Sequence, residues 1–392
     1  MRQDLGCSSR YAAQVTPRIG IVGGGQLARM MYAASVGLGV QVALLAEDPD
    51  ACAAQVVPEV RLGDPGDADA VTRFAGQVDV LTFDHEHVPN ELLQRLEAGA
   101  VTVRPGPAAL LHAQDKVVMR RRLASLGVPV PVFEVVSTPE QLVGLAERTG
   151  WPCIAKTSRG GYDGKGVWRL EGPDQAGLPF EGLRPGAEVL AEEHVPFVRE
   201  LSALVVRSPS GQVCAYPVSE SVQADGICVE TLTPAPGLSE EQAQACQRLA
   251  LRVADELGVV GVLAVELMQR PDGQVVVNEL AMRPHNTGHW SIDGAVTSQF
   301  ENHLRAVLDL PLGDPSALAP YTVMHNLLGG SRTDLVGGLT QVWARDPGVR
   351  VQLYGKTVVP GRKVGHVSVT GDDLGEARAR ARAAAALLRG DG

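Results

Sequence analysis

The chain has 392 residues, 45% of them hydrophobic and 20% charged, with a formal net charge of −10. That length accommodates two or three domains with ample core, and an acidic balance without any basic run excludes a nucleic-acid polymer as partner. The six cysteines, at 7, 52, 153, 214, 228 and 246, show no C-x-x-C spacing, which argues against structural zinc or a disulfide framework and for a reducing cytoplasm. No apolar run reaches the length of a membrane span. Residues 1–17 lack the apolar centre of a signal peptide and read as a disordered extension.

Arg18 to Val22 is a short apolar strand running into Gly23-Gly24-Gly25, with a helical pattern from Gln26 to about Val36. Gln41 to Leu45, Val78 to Phe83 and Val101 to Arg104 read as three further strands. Strands alternating with helices predict a parallel sheet with crossover helices, here an α/β domain over 18–112. Gly23-x-Gly25-x-x-Ala28, with Glu47 ending the second strand, also satisfies the dinucleotide-binding fingerprint. Bare glycine amides at a helix N-terminus bind any phosphate, and a tight strand-to-helix turn by itself needs glycine.

From Ala113 the texture changes. A basic helix, Lys116 to Leu126, leads to a strand, Cys153 to Thr157, that carries Lys156. Burying that lysine unpaired would cost on the order of several kcal/mol, and a nucleotide phosphate is the expected partner. The loop Gly160-Gly161-Tyr162-Asp163-Gly164-Lys165-Gly166 then precedes a strand from Val167 to Leu170. Its glycines let backbone amides approach phosphate oxygens. No Walker pattern is present and no helix follows, so a flap between antiparallel strands closing over ATP fits better; a surface turn is the plain alternative. Strands at Glu188 to Glu193 and Arg199 to Val206 place Glu192-Glu193-His194-Val195 and Glu200 where backbone groups meet adenine and a carboxylate meets ribose. Ser239 to Leu257 is a helix with a Ser239/Gln242 capping box and Gly258 as its stop. This region, 113–320, reads as α+β and mainly antiparallel.

Val259 to Val277 contains one strong turn signal, Pro271-Asp272-Gly273. A hairpin whose loop is Asp272 and Gly273 sets Glu266 directly opposite Glu279. Carboxylates facing each other across a ladder lie about 5 Å apart and repel. A cation between them removes the conflict, and hard oxygen ligands suit Mg²⁺ shared with nucleotide phosphates. The bland alternative, two solvated glutamates, fits poorly with flanks as apolar as Val262, Leu263, Val265 and Val275-Val276-Val277. Arg283, His285, Asn286 and His289 crowd polar groups just beyond the strand. The remaining 321–392 holds a strand from Thr322 to Leu328, the basic Gly361-Arg-Lys-Val-Gly-His366, and an Ala/Arg-rich last helix.

Gly-Gly-Tyr-Asp-Gly-Lys-Gly at 160–166, Asn-Glu-Leu-Ala-x-Arg-Pro-His-Asn-Thr-Gly-His-Trp at 278–290 and Gly-Arg-Lys-Val-Gly-His at 361–366 resemble, in this order, the N5-carboxyaminoimidazole ribonucleotide synthetase family of ATP-grasp enzymes. Gly-Gly-Gly-Gln-Leu-Ala-Arg-Met at 23–30 and Leu-Thr-Phe-Asp-His-Glu at 81–86 are similar to that family's N-terminal motifs. The resemblance implies a Rossmann-like pre-ATP-grasp domain, a central ATP-grasp domain and a small C-terminal α/β domain. It also implies ATP- and Mg²⁺-dependent carboxylation of 5-aminoimidazole ribonucleotide by bicarbonate through carboxyphosphate, and a homodimer. Carried over, the nucleotide contacts are Arg104, Lys156, Gly161, Tyr162, Asp163, Gly164, Lys165, Gly166, Val167, Glu192, Glu193, His194, Val195, Glu200, Gln223, Asn278 and Glu279. Glu266 and Glu279 hold the metal. Gln26, Glu86, Tyr162, Asp163, Arg283, Arg362 and Lys363 face the ribonucleotide or bicarbonate, and Arg283, His285 and Lys363 carry the chemistry. The family usually has His where Gln223 stands and Pro where Met282 stands. Two other classes compete on the residues alone: an NAD-dependent oxidoreductase, supported only by the glycine fingerprint and disfavoured by the glutamate pair and glycine flap, and a non-catalytic nucleotide sensor, which has no need of Arg283, His285 and Lys363 together.

Overall fold

The computed structural model describes residues 16–160, 166–184, 187–224 and 226–391. Its first layer is a parallel sheet in the order Glu59–Leu62, Gln41–Ala46, Arg18–Val22, Val80–Phe83. The two central strands are apolar almost throughout and buried, as strands covered on both faces by crossover helices must be. Glu59–Leu62 was not foreseen, because Glu59 and Arg61 interrupt its apolar pattern on an exposed edge. The expected strand at Val101 to Arg104 shrinks to one bridge, Val103 against Leu81.

The central region supplies two antiparallel sheets. The smaller runs Phe133–Val136, Val189–Glu193, Cys153–Thr157, Val167–Leu170. The larger, among the described residues, runs Val275–Ala281, Gly261–Gln269, Arg199–Arg207, Ser219–Ala224, Ile227–Thr233, Tyr321–Leu328, Lys363–Gly371, Arg350–Leu353. This sheet therefore continues through residue 320 into the C-terminal strands. The helix Glu240–Glu256 begins on the Ser239/Gln242 capping box as expected and packs on the sheet through Cys246, Ala250 and Val253. The last helix, Leu374–Arg389, is fixed by Arg378 and Arg382 on the buried carboxylate of Glu230.

The hairpin that carries Glu266 and Glu279 differs from its expected form in two ways that cancel. Gly273 N–H donates to Arg270 O at 2.9 Å and Arg270 N–H to Gln274 O at 2.8 Å, closing a three-residue loop with Gly273 at φ +85°. That is a type I turn ending in the left-handed conformation glycine favours. One extra loop residue slips the register, pairing Leu267 with Val277. A bulge at Asn278 then restores it, so Glu266 still faces Glu279. The bulge also breaks the side-chain alternation, so that Asn278 and Glu279, adjacent in sequence, both line the same cavity.

Candidate active site

A cavity of about 400 Å³ lies between the two antiparallel sheets. It is lined by Lys156, Val167, Glu193, His194, Val195, Glu200, Gln223, Glu266, Asn278, Glu279, His285 and Lys363, with Glu192 at its floor. A second cavity of about 350 Å³ opens between the N-terminal and C-terminal parts, lined by Gln26, Arg283, His285, Asn286, Lys356, Arg362 and Lys363. His285, Asn286 and Lys363 belong to both walls, so the two cavities abut there.

Lys156 is 6% exposed. Its ammonium donates to Asn278 Oδ1 at 2.9 Å and pairs with Glu192 Oε2 at 3.0 Å. Its burial is thus compensated inside the protein, where a nucleotide phosphate had been the expected partner. Glu192 in turn places Oε1 2.5 Å from Arg120 Nε. Burial raises the pKa of that carboxyl, but Lys156 and Arg120 outweigh it and hold it below the usual carboxylate range. With both oxygens engaged, the Glu192 side chain serves as a counter-ion and is not free to meet a ligand. Arg120 also donates to the Val277 and Asn278 carbonyls at 2.6 and 2.9 Å, bracing the bulge from behind. Within the basic helix from Lys116, nothing local in the sequence distinguishes Arg120 from its neighbours Arg121 and Arg122.

Glu266 and Glu279 pair across the ladder. Lys116 Nζ stands 3.5 Å from Glu279 Oε1, and His285 Nε2 stands 3.2 Å from Glu266 Oε1. Enclosure pushes Glu266 up, while His285, Lys156 and Arg283 more than offset it. Glu200 is pushed up to about 7 by burial and then by the Glu266 charge, while Gln223 Nε2 donates to Ser221 Oγ at 2.9 Å. Among the described residues no group of three or more His, Cys, Asp or Glu could hold a metal ion. Two carboxylates beside Asn278 nevertheless fit Mg²⁺, which commonly takes one or two protein carboxylates and completes its shell with phosphate oxygens and water.

Arg283 Nε donates to Glu86 Oε2 at 2.9 Å. Burial works against the guanidinium, but Glu86, Asp84 and Glu266 raise its pKa above the ordinary value. The N-terminal domain thereby reaches the second cavity through Glu86. It does so again at Gln26, whose Oε1 accepts from Lys356 Nζ at 2.5 Å. Burial first, then Arg362 and Lys363, lower the Lys356 pKa. Lys356 was missed in the sequence; read with Arg362 and Lys363 it forms a basic triplet around a glycine turn.

The dinucleotide fingerprint is occupied by the protein itself. Asp84 accepts from the Gly25 and Ala28 amides, the latter at 3.1 Å, at the N-terminus of the helix Gln26–Leu38. A pyrophosphate would need those amides. A Cβ at Gly25 would overlap the Asp84 carboxylate, so glycine is required here for the aspartate and not for a cofactor.

Arg104 is not among the residues lining either cavity; its Nη1 donates to Val307 O at 2.7 Å, fastening the N-terminal domain to the helix Gln299–Val307. Gly166, at φ +71°, accepts from Thr157 N–H at 3.0 Å at the base of the glycine loop. Gly161, Tyr162, Asp163, Gly164 and Lys165 lie outside the described residues. His289 and His366 are buried with ring centroids 5.1 Å apart, and Tyr354 O–H lies 2.8 Å from His366 Nδ1.

Three domain families cover most of the chain. Residues 16–114 match the ribonucleotide synthetase pre-ATP-grasp domain, 121–300 the ATP-grasp domain, and 322–380 the phosphoribosylaminoimidazole carboxylase C-terminal domain. The N5-carboxyaminoimidazole ribonucleotide synthase of Mycobacterium tuberculosis is 53% identical over 95% of this chain and 88% of that protein. The structure of the Thermus thermophilus N5-carboxyaminoimidazole ribonucleotide synthetase superposes with a TM-score of 0.84 at 40% identity, covering 94% of this chain and 98% of that one. An Aspergillus clavatus synthase in complex with ADP and 5-aminoimidazole ribonucleotide gives a TM-score of 0.86 at 30% identity, with coverage of 95% and 98%.

Proposed function

The chain belongs to the N5-carboxyaminoimidazole ribonucleotide synthase family of ATP-grasp ligases, and from that premise we propose that it carboxylates the amine of 5-aminoimidazole ribonucleotide with bicarbonate. ATP is consumed, ADP and phosphate are released, and the product enters purine biosynthesis. The observation that carries this reading is the meeting of the two cavities at His285, Asn286 and Lys363. A cleft of about 400 Å³ with paired carboxylates opens there onto a cleft lined by Arg283, Lys356, Arg362 and Lys363. A ligase that joins a phosphoryl transfer to an anionic acceptor needs that junction.

Bicarbonate is a poor electrophile. Its oxygen takes the γ-phosphoryl group, forming an O–P bond as the bond to the ADP oxygen breaks, and the resulting carboxyphosphate carries a phosphate leaving group. The amine then attacks the carboxyl carbon, the C–O bond to phosphate breaks, and the amine proton leaves with the released phosphate. Lys156, fixed by Glu192 and Asn278, sets a positive charge beside the transferring phosphoryl group. Arg283 is oriented by Glu86 and offers its remaining N–H groups to the planar bicarbonate. Lys356, Arg362 and Lys363 take the ribonucleotide 5′-phosphate, with Gln26 holding Lys356 in place. Glu266 and Glu279 would hold Mg²⁺, which when bound would supply charge neutralisation for the phosphoryl transfer.

Gly161 to Val167, Glu193 to Val195, Glu200 and Gln223 complete the ATP site in this reading, with Tyr162 and Asp163 assigned to the ribonucleotide by the family resemblance. The domain division 18–112, 113–320 and 321–392 and a cytoplasmic homodimer belong to the same reading. They are supported by the family resemblance, by free thiols at Cys52, Cys153, Cys214, Cys228 and Cys246, and by the lack of any described helix long and apolar enough to cross a membrane.

The test is ADP release by purified protein with ATP, Mg²⁺ and bicarbonate, with and without 5-aminoimidazole ribonucleotide. Release that depends on the ribonucleotide is expected. Equal release without it, or NADH binding by fluorescence with no release, would sink the proposal.

A further inference from the structure

His285 sits in a loop that has left the strand Val275–Ala281, so its backbone N–H and C=O have no ladder partner. One side chain meets both, with Gly288 N–H also donating to His285 O at 3.0 Å. Gln299, fully buried at the start of the helix Gln299–Val307, accepts from His285 N–H through Oε1 at 2.8 Å and donates from Nε2 to His285 O at 2.7 Å. An amide offering acceptor and donor side by side stands in for a neighbouring strand. The pair of bonds fixes which end of the amide is oxygen, so Nε2 also donates to His289 Nδ1, 3.2 Å away. Gln299 is held in turn through its own N–H, which donates to Ser291 Oγ at 2.9 Å, and Ser291 Oγ donates to Gly288 O at 2.6 Å.

Gly288 explains the rest. A Cβ there would overlap the Gln299 amide most closely and also crowd Leu204 Cδ2 at 2.8 Å, so the glycine of Asn286-Thr287-Gly288-His289 gives the clearance through which Gln299 reaches the loop. The His285 ring is also held at both nitrogens: Nδ1 lies 2.8 Å from Thr287 Oγ1, and Nε2 faces Glu266. Thr287 Oγ1 lies 2.7 Å from buried Ser202 Oγ. Backbone and ring are thus fixed independently, which is more than a core glutamine needs to satisfy itself.

We propose that Gln299 is a positioning residue for the carboxylation step, acting through His285. It sets where the imidazole stands at the junction of the two cavities and contributes nothing to ATP affinity. This rests on the reading that His285 works at that junction. Displacing a reacting-site group by a fraction of an ångström lowers turnover more than binding.

Three variants test it: Gln299→Met, which keeps the volume and removes both bonds; Gln299→Glu, which keeps the acceptor and loses the donor; and Gly288→Ala, which pushes the intact amide aside. Each should lower kcat for ribonucleotide-dependent ADP release by roughly tenfold or more, with the KM for ATP within about twofold of the parent. Gln299→Met placed in a His285→Ala background should change kcat by less than about twofold, because residues acting through one group are not additive. A rise in the ATP KM matching the loss of kcat overturns the proposal. So does a full additional loss in the double variant. A His285→Ala variant with parental activity instead overturns the placement of His285 itself, and with it any role of Gln299 through it.

Discussion

Arg120 and Glu192 lie 2.5 Å apart with side-chain exposures of 0% and 2%, and each is tied to the reaction cleft by a second partner. Glu192 anchors Lys156, and Arg120 caps the carbonyls of Val277 and Asn278. The small sheet and the hairpin of Glu266 and Glu279 are therefore joined through a buried ion pair. Arg120→Ala leaves Glu192 half-compensated in the interior and should cost about 3–5 kcal/mol of unfolding free energy. Chemical denaturation measures it. A loss below about 1 kcal/mol would mean that Glu192 does not depend on this arginine.

Glu279→Gln keeps the shape of the hairpin, removes one carboxylate and releases Lys116. The Mg²⁺ concentration giving half-maximal ADP release should rise by roughly tenfold or more, since a hard cation binds a neutral amide far more weakly. Thermal stability without Mg²⁺ should stay level or rise, because the repulsion with Glu266 is gone. An unchanged Mg²⁺ dependence would remove Glu279 from the metal site.

Lys356→Ala and Lys363→Ala each remove a cation from the cavity shared by Gln26, Arg283 and Arg362. Each should raise the KM for the ribonucleotide by roughly tenfold or more, the size of one charge-assisted hydrogen bond, while changing the ATP KM little. Lys363 borders both cavities, so it is the sharper case. Equal effects on both substrates would move it out of the phosphate position.

The buried histidines predict acid sensitivity. His303 accepts from Val262 N–H at Nδ1 (3.1 Å) and lies 2.9 Å from Thr82 Oγ1 at Nε2, and burial lowers its pKa to about 3. His366 is also lowered to about 3 by burial. A depressed folded-state pKa means that the unfolded chain binds more protons, so the stability is complete above about 6.5 and is lost as pH falls toward 3. Each such group contributes a slope of about 1.4 kcal/mol per pH unit in that window. His303→Gln should lower stability at pH 7 and flatten the decline between pH 6.5 and 5 by about one such slope. An identical pH slope in parent and variant would show that His303 does not stay neutral in the fold.

Much of the site was legible because its chemistry is local in sequence. The Glu266–Glu279 opposition follows from one hairpin, and the polar crowding from Arg283 to His289 follows directly after it. Even there the agreement was partly fortunate, since the extra loop residue and the bulge at Asn278 offset each other. The glycine fingerprint at 23–28 was legible as a strand-to-helix turn and silent about its occupant, because Asp84 arrives from a strand some sixty residues on. The resemblance implies Arg104 as a nucleotide contact, and the fold gives its Nη1 the Val307 carbonyl as a partner, which no local pattern announced.

The sequence by itself determined the parallel first sheet, the antiparallel strands that follow, the capped helix after Ser239, and the opposition of Glu266 and Glu279. Those depend on periodicity, turn residues and short spacings, which act within one or two elements. Only the tertiary structure decided that Glu192 serves Arg120 and Lys156, that Glu86 steadies Arg283, that Lys356 joins the basic cavity, and that Gln299 braces His285. Each of these pairs brings together residues from separate elements. A buried charge or amide takes whichever partner the packed chain brings within about 3 Å, and no local pattern records which partner that will be.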